Sequence, residues 1–359
     1  MSVLNDSSRV PTVLDMFCGC GGLSRGFMDA GYKVLLGIDN NTAALKTFVA
    51  NHGSAIGFKG DLFDTGTILE MATLIKNKEV DLIIGGPPCQ GFSLTGTRLE
   101  EDPRNTLFLS MVNAVAYFQP KAFLLENVPG IATLYNGKSK NAIIKEFTDL
   151  GYTVSYKVLY GPDYGLPQIR KRLFFVGIKG EKEFIFPTPT HTPSDYVSCE
   201  EAIGDLHDFG HDDLGKETAE YLLKPFSNYQ KIMRKKSKGI LHNHVGTKHT
   251  ELVIDVISQV PEGGNHKDLP PGVGDSRKFN EAWTRYHSKK PSKTIDTGHR
   301  NHFHYKYNRV PTVRENARLQ SFPDDFIVYG NKTEQYKQIG NAVPPLLGKV
   351  LGEEIKKYL

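Results

Sequence analysis

At 359 residues, 39% hydrophobic and 23% charged, the chain is long enough for two domains and has the composition of a water-soluble globular protein. No apolar stretch reaches the length of a membrane span, and the start, MSVLNDSSRVPT, lacks the layout of a secretory signal. Four cysteines in a chain this long make no disulfide framework, so the cytoplasm is the expected compartment. The net charge of +4 hides an asymmetry: residues 231–310 carry sixteen Lys/Arg against seven Asp/Glu, and eight of the twelve histidines. A basic, His-containing segment on an otherwise mildly acidic chain points to a polyanionic partner. Cys18 and Cys20 are two apart, Cys89 and Cys199 are remote, and this spacing matches no zinc site, so no metal is expected.

In chain order, Val10–Phe17 reads as a first strand, and Gly19, Gly21 and Gly22 as a tight turn into a helix over Leu23–Ala30. Lys33–Ile38 is a second strand ending at Asp39, followed by a helix through His52. A short strand, Ala55–Lys59, ends at Gly60-Asp61. A helix over 67–78 precedes the apolar run Val80–Ile84, which leads into GGPPCQGFS at Gly85–Ser93. A helix around Leu107–Phe118, a strand at Lys121–Leu125 ending at Glu126-Asn127, a helix over 139–150 and strands 152–160 and 173–178 follow. This alternation predicts an α/β fold, a doubly wound and mainly parallel sheet. Gly19, Asp39, Asp61, Cys89 and Glu126 then all fall at strand carboxyl ends, the edge where such sheets place their chemistry. After Gly180 the rhythm stops, and residues 181–325 are expected to form a second, smaller domain. A helix carrying ARLQSF (317–322) and a last helix from Pro345 to Leu359 close the chain, and 326–359 is expected to complete the 1–180 domain.

Three constellations carry chemistry. DMFCGCGG at Asp15–Gly22, with Asp39 and Asp61 behind it, suits a nucleotide-type ligand: glycines admit close backbone approach, and an acidic residue on the next strand can hold ribose hydroxyls. The spacing is GxGG rather than GxGxxG, and Phe17 offers a ring edge to a purine, so S-adenosylmethionine fits better than NAD. Cys89 and Glu126 suit methylation at carbon 5 of cytosine. A thiolate added to carbon 6 makes carbon 5 nucleophilic, and a carboxyl group at N3 eases the addition. Arg170 and Arg172 of QIRKR alternate along an expected strand and can clamp a base or phosphate from one face.

In these residues the chain resembles the cytosine-C5 DNA methyltransferases of the bacterial modification type, over nearly its whole length and with the motifs in the family's order. The resemblance implies a Rossmann-like, adenosylmethionine-dependent catalytic domain with Cys89 as nucleophile, Glu126 as catalytic acid, and Arg170 and Arg172 beside them. It places Phe17, Gly19, Gly21, Gly22, Leu23, Asp39, Asn40, Asp61, Leu62, Leu107, Asn341 and Val343 at the cofactor. It places Pro88, Gln90, Ser93, Arg104 and Asn127 at the target base and its loop, and QIGNAVPP (338–345) as the C-terminal motif that completes the cofactor pocket. Base reading is expected within 241–307, centred on Thr297–Tyr307. There Arg300, Asn301 and the histidines offer donors, with Arg277, Arg285 and Lys293 nearby. The implied substrate is duplex DNA, whose target cytosine must leave the stack to meet Cys89. Two other readings compete: a tRNA cytosine-C5 methyltransferase, disfavoured by the long basic segment, and an NAD-dependent oxidoreductase, disfavoured by the absent GxGxxG. A monomer is expected, with any cognate restriction endonuclease acting separately.

Overall fold

The computed structural model describes residues 9–62, 64, 66–88, 107–209, 213–273, 282–298 and 301–359. By its internal contacts the chain forms two compact units: residues 1–159, 171–188 and 347–359, and residues 160–170 and 189–346.

The first unit alternates strands and helices: β1 (Thr12–Met16), α1 (Gly22–Asp29), β2 (Lys33–Asp39), α2 (Thr42–Asn51), β3 (Ile56–Lys59), α3 (Gly66–Leu74), β4 (Leu82–Gly85), α4 (Phe108–Phe118), β5 (Ala122–Asn127), α5 (Lys138–Asp149), β6 (Tyr152–Tyr160) and β7 (Lys171–Lys179). Among the described residues these strands make one seven-stranded sheet in the order β3-β2-β1-β4-β5-β7-β6. β1 pairs in parallel with β2 and β4, β2 with β3, and β4 with β5, while β7 runs antiparallel to β5. The doubly wound, mainly parallel sheet is therefore present, with its reversal at β7. The reason lies in the connections: each helix of about three turns returns the chain to the starting edge, whereas β7 follows a loop that enters from the opposite edge.

The central strands β1, β2, β4, β5 and β7 are mostly apolar and buried because both sheet faces are covered there. Leu14, Met16, Ile38, Ile83, Phe123, Leu125, Leu173 and Phe175 are buried in one cluster with Met111, Val115 and Phe147 from the helices. Phe123 stacks on Phe147 at 3.8 Å between ring centroids. Truncating such a ring to alanine costs about 3–5 kcal/mol, so Phe123 is a position where one change breaks the unit.

The second unit is built from short elements: α6 (Cys199–Ile203), β8 (Thr218–Glu220), α7 (Asn228–Arg234), β9 (Ile240–His242), α8 (Glu251–Gln259), β10 (Thr284–Arg285), β11 (His302–Phe303), α9 (Val313–Leu319) and α10 (Lys332–Asn341). The last helix, α11 (Pro345–Ile355), begins in this unit and ends in the first. Part of its core lies in two apolar clusters, one around Ile203, Tyr229, Leu241 and Leu319 and one around Ile257, Val260 and Phe303, and Phe322, Phe326, Tyr336 and Ile339 are buried as well. Buried polar ties run through the same unit. Arg318 is enclosed between Asp205 and Asp324, and Arg309 bonds both carboxylate oxygens of Glu315, at 2.8 and 2.7 Å. Among the described residues no helix is long and apolar enough to cross a membrane.

Candidate functional site

Parallel pairing brings the carboxyl ends of four strands to one edge. Met16 is in register with Ile38 and with Gly85, and Gly85 with Leu125. The loops after β1, β2, β4 and β5 therefore leave the sheet side by side, and they carry Phe17–Leu23, Asp39-Asn40, Gly86–Pro88 and Glu126-Asn127.

The glycine turn is locally forced. Phe17, Gly19 and Gly21 have φ of 58°, 53° and 89°. A side chain at Gly21 would place its Cβ 2.1 Å from Cε1 of His52, so only glycine fits in both conformation and space. His52 stacks on Phe48 and contacts the Ser24 hydroxyl at 3.0 Å, and burial lowers its pKa to about 4, leaving a neutral ring that props the turn. α1 begins at Gly22 with no side-chain cap and no acidic residue in its first turn, so its leading amides suit an anionic group. Asp39 ties β2 to this turn: one carboxylate oxygen accepts from the Gly19 amide at 2.9 Å, the other from the Asn41 amide at 2.8 Å. Phe17 is half-buried against the core, and the space facing Gly19 is open to at least 4 Å from where a Cβ would sit. A half-buried ring, a carboxylate and uncapped amides around open space fit a nucleoside-bearing amino acid such as S-adenosylmethionine. Around them, Asn40 and Asp61 are exposed, Leu62 packs half-buried on the core and Leu107 is buried just before α4.

Sequence reading passed over Asp15. It is buried at the end of β1, one of its oxygens has no hydrogen-bond partner among the described residues, and burial pushes its pKa up to about 7. An acidic residue inside the apolar run VLDMF was the available signal.

At the second half of the edge, Arg172 Nε bonds Glu126 Oε1 at 2.8 Å, both side chains being largely buried. Gly86 lies against this carboxylate, for a Cβ there would come 3.0 Å from Glu126 Oε2. Asn127 donates to the Pro87 carbonyl at 3.4 Å and accepts the Val128 amide at 2.8 Å, holding the stem of the 85–93 loop beside Glu126. Pro88 is exposed at the end of that stem. Cys89, Gln90, Ser93, Arg104 and Arg300 lie outside the described residues.

Arg170 corrects an expectation. β7 begins at Lys171, and Arg170 does not join Arg172 as a clamp: it is 1% exposed in the second unit. Its terminal nitrogens donate there to the carbonyls of Ile295, Gly340 and Ala342 and to Gln168 Oε1. Arg285, expected near the recognition loop, is likewise buried, bonding the carbonyls of Val260 and His304 and the Asn308 side chain. His302 and His304 are buried too, and His304 Nδ1 accepts the amides of Lys306 and Tyr307, so neither is presented to a base. Asn301 is half-buried and bonded to Asp296 at 2.6 Å, Asn341 is exposed at the end of α10, and Val343 is buried. Among the described residues no group of three or more His, Cys, Asp or Glu side chains is placed to hold a metal ion.

The sequence profile of the family described as C-5 cytosine-specific DNA methylase matches residues 11–357. The chain belongs to this family. It is 38% identical over 373 aligned residues to the Type II methyltransferase M.DdeI of Desulfomicrobium norvegicum, covering 96% of this chain and 88% of that one. It is also 38% identical to the Type II methyltransferase M1.HphI of Haemophilus parahaemolyticus, over 96% of this chain and 87% of the relative. Among solved structures, one described as a candidate DNA modification methyltransferase encoded within an E. coli prophage superposes with a TM-score of 0.80. It is 26% identical and covers 97% of this chain and 99% of its own. The chain is thus a DNA (cytosine-5-)-methyltransferase of the Type II restriction-modification kind, and the tRNA and oxidoreductase readings fall away.

Proposed function

We propose that this DNA methyltransferase takes its methyl group from S-adenosylmethionine and works through a covalent bond between Cys89 and carbon 6 of a flipped-out cytosine. Phe17, Gly19, Gly21, Gly22, Leu23, Asp39, Asn40, Asp61, Leu62 and Leu107 hold the cofactor, with Asn341 and Val343 closing on it; the methyl group it supplies is electrophilic. Cys89 adds as a thiolate to carbon 6 while Glu126 holds a proton at N3, so the ring's electrons are pushed to carbon 5. Once carbon 5 is substituted, loss of its proton restores the double bond and expels the Cys89 thiolate. Arg172 fixes the Glu126 carboxyl group, Pro88, Gln90, Ser93, Arg104 and Asn127 shape the loop around the base, and Arg300 and Asn301 read base edges. In this reading residues 1–180 with 326–359 do the chemistry and 181–325 recognise duplex DNA, a functional division that differs from the compact units, in which 160–170 and 326–346 belong to the second. The protein acts as a cytoplasmic monomer, and a cognate endonuclease, where one exists, works separately.

The observation that carries the reading is the 2.8 Å Arg172–Glu126 pair packed against Gly86, three residues before Cys89. The test is a duplex bearing 5-fluorocytosine at the target, where the missing carbon-5 proton blocks release. With S-adenosylmethionine present, a protein–DNA adduct should survive a denaturing gel. An adduct that persists in Cys89→Ala would remove Cys89 from the mechanism.

A further inference from the structure

Four stretches distant in sequence meet on three buried side chains of the second unit. Gln168, Arg170 and Gln320 are 0%, 1% and 0% exposed. Gln168 Nε2 donates to the Leu319 carbonyl at 3.2 Å and to Gln320 Oε1 at 3.1 Å, and its Oε1 accepts the Ile295 amide at 3.0 Å and Arg170 Nη1 at 3.3 Å. Gln320 Nε2 donates to the Ile339 carbonyl at 2.8 Å. Arg170 Nη2 takes the carbonyls of Gly340 and Ala342, at 3.1 and 3.0 Å, and Nη1 that of Ile295 at 3.4 Å. The backbone at 295–296 and the backbone at 339–342 are thus bonded to the same side chains. They also touch: a Cβ at Gly340 would sit 2.1 Å from the Asp296 carbonyl oxygen. Asp296 in turn starts the expected recognition loop, its carboxylate accepting the Gly298 amide at 3.0 Å and the Asn301 side chain at 2.6 Å.

We infer that Gln168, Arg170 and Gln320 are positioning residues that set two functional stretches at once, the 341–343 segment that closes on the cofactor and the 295–298 backbone whose Asp296 holds Asn301. This rests on the proposed roles of Asn341, Val343 and Asn301. Loss of one member of this buried network strands the partners' polar atoms without water to replace it. A shift at Gln320 therefore reaches Ile339 directly and Ile295 through Gln168. The two loops move together or not at all. The Asp296 carboxylate, unlike its backbone, bonds only to Gly298 and Asn301 among the described residues.

The full-length protein separates this from simple stabilisation. S-adenosylmethionine affinity is measured by calorimetry, the methylated motif by bisulfite sequencing, and folding by Tm. Gln320→Met, measured below its Tm, should weaken cofactor binding about three- to tenfold, the equivalent of one lost buried hydrogen bond, and relax the motif at one or more positions. Asp296→Ala should relax the motif and leave cofactor affinity at the parental value. A Gln320→Met protein with lowered Tm but parental affinity and parental motif overturns the inference. If Gln320→Met does not fold, Arg170→Lys, which keeps the charge but not the fork that spans Gly340 and Ala342, takes its place under the same criteria. Asn341→Ala and Asn301→Ala are the references. If these leave affinity and motif unchanged, the loop roles themselves fail; if they act as expected while the network variants do not, only the positioning role fails.

Discussion

Arg318 offers the sharpest test of how the second unit is held. Its Nε and Nη2 bond the two carboxylate oxygens of Asp324 at 2.6 and 2.7 Å, and Nη1 bonds Asp205 Oδ1 at 2.8 Å and the Ala202 carbonyl at 2.9 Å. Burial alone would raise the pKa of Asp324, but the charge and hydrogen bonds of Arg318 outweigh it and hold it down at about 2. Arg318→Met keeps much of the side-chain volume and removes the cation shared by two buried carboxylates. Asp205 retains Arg234, and Asp324 retains the Tyr221 hydroxyl and the Arg314 guanidinium at 3.8 Å, so the expected loss is that of one broken buried pair, about 3–5 kcal/mol. At about 2–4 °C per kcal/mol for a unit of this size, Tm should fall by roughly 6–20 °C. The chain's single tryptophan, Trp283, lies in this unit, so its fluorescence reports the transition. A Tm drop below about 2 °C would refute the argument that these charges hold the unit together.

Three further outcomes follow from the site and the buried histidines. Glu126→Gln should still bind cofactor and DNA while the chemical step slows by about 10²–10⁴-fold, as single-turnover methylation would show; an unchanged rate would dismiss Glu126. Asp39→Ala should weaken S-adenosylmethionine binding about tenfold or more and spare DNA binding, since charge-assisted hydrogen bonds to the ribose and the tie to Gly19 are both lost; calorimetry with parental affinity would contradict this. Burial lowers His304 to about 3 and His244 to about 4, against 6.5 for a free imidazole. The unfolded chain then binds more protons between pH 6.5 and about 4, so stability should be full above 6.5 and fall as pH drops through that window. A denaturation midpoint by Trp283 fluorescence that stays flat from pH 7 to 4.5 would contradict the assignment.

Strand existence and strand ends were readable because buried parallel strands are short apolar runs closed by glycine, aspartate or glutamate, as at VDLIIG and FLLEN. Sheet order was not: nothing local marks β7 as the strand that inserts beside β5 in reverse. α10 escaped because KTEQYKQIGN has no apolar stripe. It is set instead by the reciprocal Asn331–Glu334 cap and by burial of Gln335, Gln338, Tyr336 and Ile339. Arg170 looked like a partner of Arg172 because they are two residues apart. Its true partners, the carbonyls of Ile295, Gly340 and Ala342, lie 125 to 172 residues away and carry no side-chain signature. The recognition segment misled for a related reason: His302, His304 and Arg285 read as surface donors, yet they are buried and their partners are backbone groups that leave no mark in the sequence.

The central claim is that carbon 5 of cytosine in DNA receives the methyl group. Duplex DNA treated with the purified protein and S-adenosylmethionine bearing a deuterated methyl group, then digested to nucleosides, tests it by mass spectrometry. Labelled 5-methyldeoxycytidine should be the one methylated product, and it should vanish with Cys89→Ala. Label on N4-methyldeoxycytidine or N6-methyldeoxyadenosine, or 5-methyldeoxycytidine formed at the parental rate without Cys89, would contradict the account.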